Sequence, residues 1–123
     1  MNSTRILLAD DHVLFRRGLA KLLTCESDLE VVGEADDGGE ALEMARRLRP
    51  DVVLMDISMP VMDGVEATRR IKAEVPGVRV ILLTASDPEQ VPVEALQGGI
   101  QECLFKTIDL SALCGAVRNP PVW

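Results

Sequence analysis

Aromatic residues are almost absent from this sequence, which has two Phe, one Trp and no Tyr in 123 residues. Proteins that bind single-stranded nucleic acids depend on aromatic rings on which bases stack. The net charge of −7, from 20 acidic and 13 basic side chains, also disfavours contact with a phosphate backbone or an anionic membrane surface. We therefore expect neither direct nucleic-acid binding nor membrane binding by this segment.

Cysteines and long apolar runs are scarce as well. Cys25, Cys103 and Cys114 are odd in number and lack CxxC spacing, so the sequence predicts neither a disulfide framework nor a zinc site. No apolar run approaches the length of about 20 residues that spans a bilayer, and the first residues lack the body of a signal peptide. These absences predict a cytoplasmic protein with reduced thiols.

The chain length of 123 residues and the hydrophobic content of 47% predict one domain with a single core. We expect this domain to span residues 1–123, with its core at about residues 4–118 and no DNA-binding domain within the chain. Five short apolar runs alternate with amphipathic segments, which is typical of an α/β fold. The prediction is a flavodoxin-like, doubly wound, five-stranded parallel sheet of strand order 2-1-3-4-5, with helices on both faces.

Polar residues stand at the ends of four predicted strands. The third strand, an uninterrupted apolar run typical of a central parallel strand, ends at Asp56. The first strand ends in Asp10 and Asp11, the fourth at Thr84 and the fifth before Lys106. Ligands of open α/β sheets bind at the carboxyl ends of the strands, where the strand order reverses. We therefore expect these five residues to converge in one crevice.

Three converging carboxylates repel one another, so at least one of them must bind a cation or take up a proton. A hard divalent cation with oxygen ligands is the natural occupant. Mg²⁺ typically uses one or two carboxylates together with water and a phosphate group. A carboxylate such as Asp56 can act as the nucleophile in phosphoryl transfer. Lys106 and the hydroxyl of Thr84 would then neutralise and hydrogen-bond the phosphoryl oxygens.

The sequence around these residues resembles bacterial two-component response-regulator receiver domains over nearly its whole length. Its sequence motifs are similar to those of the NarL/LuxR-type subfamily, whose receivers precede a LuxR-type helix-turn-helix. The matching segments are LLADDH at 7–12, VVGEA at 31–35, RPDVVLMDISMPVMDGVEATRRI at 49–71, VILLTAS at 80–86 and CLFK at 103–106.

The resemblance implies that Asp56 accepts a phosphoryl group from a sensor histidine kinase. It implies that Mg²⁺ is held by Asp11, Asp56 and the backbone carbonyl of Ser58, with Asp10 acting through water, and that Thr84 and Lys106 sense the phosphoryl group. It also implies a signalling switch rather than an enzyme. A homodimer would form on phosphorylation, and DNA would be contacted only through a C-terminal helix-turn-helix domain, if one exists.

Two departures from the family pattern and two rival functions bear on that interpretation. Cys103 stands where receivers usually have Tyr or Phe, which leaves open a degenerate receiver that acts as a phosphorylation-independent interaction module. Thr107 replaces a proline that is often cis, and because a non-proline cis bond costs about 2.5 to 4 kcal/mol, we expect the Lys106–Thr107 bond to be trans. A phosphohydrolase of the haloacid-dehalogenase type is disfavoured because Ser58 stands where that family requires a second acid.

Several local expectations concern the first helix and the segment before the fifth strand. The helical pattern puts Arg16 on the polar side of the first helix and suggests close packing at Gly18. His12 is interpreted as a surface residue at the start of this helix rather than a ligand. A short helix is expected to begin near Pro92, because proline disrupts a helix interior.

Overall fold

Five parallel strands form the sheet of the computed structural model, which describes residues 3–84 and 102–118. The strand order is β2-β1-β3-β4-β5 and every neighbouring pair is parallel, as predicted. The strands are β1 (Thr4–Ala9), β2 (Leu29–Ala35), β3 (Val52–Asp56), β4 (Arg79–Thr84) and β5 (Glu102–Phe105). All five residues of β3 are buried, which is expected of a central strand covered on both faces.

Helices cover the two faces of the sheet. Within residues 3–84 and 102–118 these helices are α1 (Val13–Thr24), α2 (Gly38–Leu48), α3 (Gly64–Glu74) and α4 (Leu110–Arg118). Alternate residues of each strand point to opposite faces: Val53 and Met55 pack with α2 and α3, whereas Val52 and Leu54 pack with α1 and α4. The core therefore has two layers, and the predicted fold class is confirmed.

Aspartate side chains set the first residues of α2 and α3. Asp37 accepts a hydrogen bond from the backbone N–H of Glu40 at 2.7 Å, and Asp63 accepts one from that of Glu66 at 2.9 Å. These caps satisfy N–H groups that have no partner within the helix. Consequently α2 begins at Gly38, directly after its cap Asp37.

Two expectations for α1 are wrong. Arg16 is buried, with only 6% of its surface exposed, because its side chain turns back toward the ends of β1 and β2 and binds polar groups there. Gly18 is not closely packed, since a methyl group added to it would meet nothing within 4 Å.

The remaining local expectations have mixed outcomes. The Lys106–Thr107 peptide bond is trans, as predicted. The helix expected near Pro92 lies outside the described residues. Within the two described ranges, no helix has the length and apolar character needed to cross a membrane.

Candidate functional site

Asp56 is the last residue of β3, and its carboxylate is buried at the carboxyl edge of the sheet. The backbone N–H of Ser58 donates a hydrogen bond of 3.4 Å to Asp56 Oδ1. The loop after Asp56 packs tightly, because a Cβ at Gly64 would collide with the main-chain carbonyl of Asp56. Asp56 therefore lies in a closely packed position from which water is largely excluded.

Asp10 and Lys106 flank Asp56 at the same edge. Lys106 Nζ lies 2.8 Å from Asp10 Oδ2 and 3.4 Å from Asp56 Oδ2, and it also stands 5.0 Å from the ring centre of Phe15. Asp10 is 3% exposed. The strand order thus brings together two buried carboxylates and one ammonium group, as the positions of the strand ends predicted.

Thr84 and Asp11 complete the expected set. Thr84 is buried at the end of β4, and its carbonyl accepts a hydrogen bond of 2.9 Å from the backbone N–H of Lys106. The side chain of Asp11 is 39% exposed and follows directly after Asp10. All five strand-end residues are therefore found at one edge of the sheet, although their individual roles stay predictions.

Electrostatics make this edge favourable for a cation. Burial raises the pKa of Asp56, and the charge of Asp10 raises it further, while Lys106 and the Ser58 N–H group act in the opposite direction. Three acids, Asp10, Asp11 and Asp56, thus lie close together, and Lys106 pairs with two of them, Asp10 and Asp56. An added positive charge would stabilise the ionised form of Asp56.

The donor set fits a divalent cation. Asp10, Asp11, His12 and Asp56 each offer a ligand atom, and these atoms all lie within 4.8 Å of one another. Asp10 Oδ2 is buried and accepts no hydrogen bond; its contact with Lys106 is an ion pair without hydrogen-bond geometry. Carboxylate oxygens are the ligands that Mg²⁺ prefers, so the residues present suit a hard cation.

His12 contributes to this site more than its sequence context indicated. Its side chain is 65% exposed, yet its Nδ1 atom lies 2.9 Å from Lys106 Nζ and 3.2 Å from Asp10 Oδ1. The interpretation as a surface residue is correct for exposure but overlooked these contacts. The available signal was its position directly after two strand-end acids.

Cys103 lies in β5. It is partly buried and packs against the core layer beneath α2 and α3, and burial raises the pKa of its thiol. The three cysteines are free, as expected. Cys103 therefore behaves as a small apolar side chain at this position.

This fold and this site define a receiver domain. Residues 6–118 match the response regulator receiver domain family, and the chain belongs to that family. It is the receiver domain of a two-component response regulator, and its similarities fit the NarL/LuxR-type subfamily predicted from the sequence motifs.

Particular relatives agree with this assignment. The chain is 41% identical over 117 residues to the transcriptional regulatory protein DegU of Brevibacillus brevis, which covers 95% of this chain and 50% of DegU. It superposes on the signal receiver domain of NarL from Mycobacterium tuberculosis with a TM-score of 0.86 and 34% identity, covering 97% and 99% of the two chains. The TM-score with the CheX–CheY–BeF3–Mg complex of Borrelia burgdorferi is 0.84 at 28% identity, with coverage of 94% and 87%. The chain spans about half the length of the curated relatives it matches.

Proposed function

We propose that Asp56 is the phosphoacceptor of this receiver domain. The observation that carries this proposal is the buried Asp56 carboxylate at the end of β3 with Lys106 Nζ 3.4 Å away. One carboxylate oxygen of Asp56 attacks the phosphorus atom of the donor, and the leaving group departs on the opposite side. Lys106 and the Thr84 hydroxyl then bind the phosphoryl oxygens, which carry the developing negative charge.

Mg²⁺ is the cation proposed for the acidic site. Asp11, Asp56 and the backbone carbonyl of Ser58 would hold it, and Asp10 would act through water. When bound, Mg²⁺ neutralises charge on the phosphoryl oxygens. The oxygen-rich donor set supports this choice, as does the related CheY, which was solved with BeF3 and Mg.

The partners in the proposal follow from the receiver family and from the relatives that the chain matches. A sensor histidine kinase is the phosphoryl donor, and the cytoplasm is the compartment in which the transfer takes place. Because the matching relative DegU is a transcriptional regulatory protein of about twice this length, a C-terminal helix-turn-helix domain would contact DNA. A homodimer forming on phosphorylation would relay the signal to that domain.

Phosphorylation by a small-molecule donor tests the assignment of Asp56. The protein is incubated with acetyl phosphate and Mg²⁺ and its intact mass is measured. We expect one phosphoryl group on the wild type and none on Asp56→Asn. The matched control is Asp51→Asn, which alters an exposed aspartate at the other end of the same strand and should accept phosphate like the wild type. An unmodified wild type, or an Asp56→Asn variant that still gains the mass, would contradict the proposal.

The proposed role is that of a signalling switch rather than a turnover enzyme. The same protein is therefore mixed with phosphoester substrates, and free phosphate is followed over time. We expect release limited to breakdown of the phosphorylated protein itself. Steady phosphoester hydrolysis with many turnovers per molecule would support the phosphohydrolase alternative.

Cys103 favours a second candidate, a degenerate receiver that acts without a phosphorylation-dependent response. In receivers that have Tyr or Phe at this position, the ring turns inward as the threonine moves toward the phosphoryl group. The thiol of Cys103, which packs against the core, cannot reproduce that movement. The oligomeric state before and after acetyl phosphate treatment separates the candidates, with Cys103→Tyr as the comparison. If the wild type dimerises on phosphorylation, the phosphorylation-independent module is ruled out. The module is supported if the wild type is fully phosphorylated without a change in oligomeric state while Cys103→Tyr dimerises on phosphorylation.

A further inference from the structure

Arg16 is a buried cation that binds the ends of two strands. It lies in the first turns of α1, and its backbone N–H donates to His12 O at 2.9 Å. Its Nη1 atom donates to the carbonyl of Asp10 at 2.7 Å and to that of Ala35 at 3.4 Å. These two carbonyls follow β1 and end β2, so one guanidinium group joins both strands to α1.

Two acids keep Arg16 charged in this buried position. Its Nε atom donates to Glu34 Oε1 at 3.0 Å, and its Nη1 atom is paired with the carboxylate of Asp36. Burial opposes the charge of the guanidinium, but the hydrogen bonds to Asp36 and Glu34 raise the pKa of Arg16. The cation is thus compensated locally, and the two N–H groups of Nη1 are shared among Asp36 and the two backbone carbonyls.

These contacts leave Asp10 with little freedom. Its N–H donates to Ala35 O at 3.0 Å, its carbonyl accepts from Arg16, and its Oδ1 atom accepts from the N–H of His12 at 2.9 Å. Only Oδ2 remains, and it faces Lys106 and Asp56. The orientation of the Asp10 side chain is therefore set by backbone contacts that Arg16 completes.

Asp11 depends on the same peptide unit. Its carboxylate is 39% exposed and lies 3.9 Å from His12 Nδ1, beyond hydrogen-bond distance. Its placement consequently follows its backbone, and the peptide plane that joins Asp10 to Asp11 contains the carbonyl that Arg16 binds. A rotation of that plane would move both acids relative to Asp56.

We propose that Arg16 is a positioning residue of the divalent-cation site, holding the Asp10–Asp11 peptide so that both carboxylates stand beside Asp56. The inference rests on the proposed Mg²⁺ site and adds a residue that does not itself contact the cation. Partners that orient metal ligands in this way typically contribute a factor of 10 to 100 in metal affinity.

Mg²⁺ binding measured by calorimetry tests this role. Arg16→Met keeps the apolar stem but removes every donor, and we expect the Mg²⁺ Kd to rise about tenfold. Arg16→Lys keeps a charge that reaches a single carbonyl and should give an intermediate Kd. The control is Arg17→Met, which alters the exposed neighbour on α1 and should leave Kd unchanged. Only variants that circular dichroism shows to be folded are measured.

Two further measurements separate positioning from general damage. In acetyl phosphate reactions, the Mg²⁺ concentration for half-maximal rate should rise in Arg16→Met, while the rate at saturating Mg²⁺ returns to near the wild-type value. Glu34→Gln and Asp36→Asn leave the two carbonyl contacts in place, and we expect Kd values close to that of the wild type. A weakening in these variants as large as in Arg16→Met would show that charge balance, not positioning, is responsible.

The remaining outcomes are also decisive. A wild-type Kd in Arg16→Met overturns the inference, and if that variant does not fold, an unchanged Kd in Arg16→Lys overturns it equally. The proposed function fails separately, when the wild type binds Mg²⁺ but takes no phosphoryl group on Asp56. In that case the effect of Arg16 on Mg²⁺ affinity can still be measured.

Discussion

The two ends of β3 show how one residue type acquires two different characters. Asp51 precedes the strand and is exposed; its Oδ2 atom accepts a hydrogen bond of 2.8 Å from the backbone N–H of Arg5. Asp56 ends the strand and is buried beside Asp10 and Lys106. The carboxylate of Asp51 accepts a backbone hydrogen bond, whereas that of Asp56 lies among other charged groups. Neighbours, not residue type, therefore decide which aspartate is suited to chemistry.

Of the substitutions that compare the two ends of β3, the largest effect on stability should come from adding a side chain at Gly64, which packs against the carboxyl end of the strand. A Cβ at Gly64 would collide with the main-chain carbonyl of Asp56 and approach Ile57 Cα to 3.0 Å. Since these are backbone atoms that cannot move aside cheaply, we expect Gly64→Ala to lower the free energy of unfolding by about 3 kcal/mol. Urea denaturation followed by circular dichroism measures this change.

The control for that substitution is Gly18→Ala in α1, where an added methyl group meets nothing within 4 Å. Alanine is favoured over glycine in a helix interior by about 1 kcal/mol, so this variant should be more stable than the wild type. Equal effects of the two substitutions would contradict the packing described around Asp56.

Mg²⁺ should stabilise the folded protein through the carboxyl end of β3 and not through its amino end. A ligand that binds only the folded state at ten times its Kd stabilises that state by about 1.4 kcal/mol. We expect this gain in wild type and in Asp51→Asn but not in Asp11→Asn or Asp56→Asn. Unfolding curves with Mg²⁺ or EDTA provide the measurement, and a full gain in Asp56→Asn would place the cation elsewhere.

Titration should reveal the same difference without metal. The pKa of Asp56 is raised in the folded state, first by burial and then by Asp10. Its favourable contribution is therefore complete below the unfolded-state pKa and is lost as the pH rises through the folded-state pKa. In EDTA, the stability of the wild type relative to Asp56→Asn should thus fall as the pH rises above about 4, the ordinary pKa of an unfolded-state aspartate. A constant difference across that range would refute the raised pKa.

Much of the fold and of the candidate site could be predicted from the chain because both depend on short-range pattern. Apolar runs separated by amphipathic segments specify parallel strands, and the carboxyl ends of parallel strands share one edge. That reasoning alone brought Asp10, Asp56 and Lys106 together. It needed no knowledge of individual side-chain directions.

The missed contacts depend on side-chain direction and on pairs distant in sequence. A helical pattern assigns Arg16 to the polar side of α1 by the position of its Cα atom, but the long side chain turns toward strand-end carbonyls. His12 meets Lys106 across 94 positions of the chain, and no local pattern encodes that approach. Side chains of this kind are predicted only when the three-dimensional positions of their acceptors are known.

The smallest effects should be found at the amino end of β3. Asp51→Asn keeps an oxygen that accepts the hydrogen bond of the Arg5 N–H group, so its free energy of unfolding should stay within about 0.5 kcal/mol of the wild type. Asp51→Ala removes that oxygen and should cost about 1 kcal/mol. The backbone of Asp51 would still join its neighbours, because its N–H donates to Arg5 O at 2.9 Å and its carbonyl accepts from the Arg79 N–H at 3.0 Å. Neither variant should change Mg²⁺ affinity or phosphorylation, and a loss of either would show that the two ends of the strand are coupled.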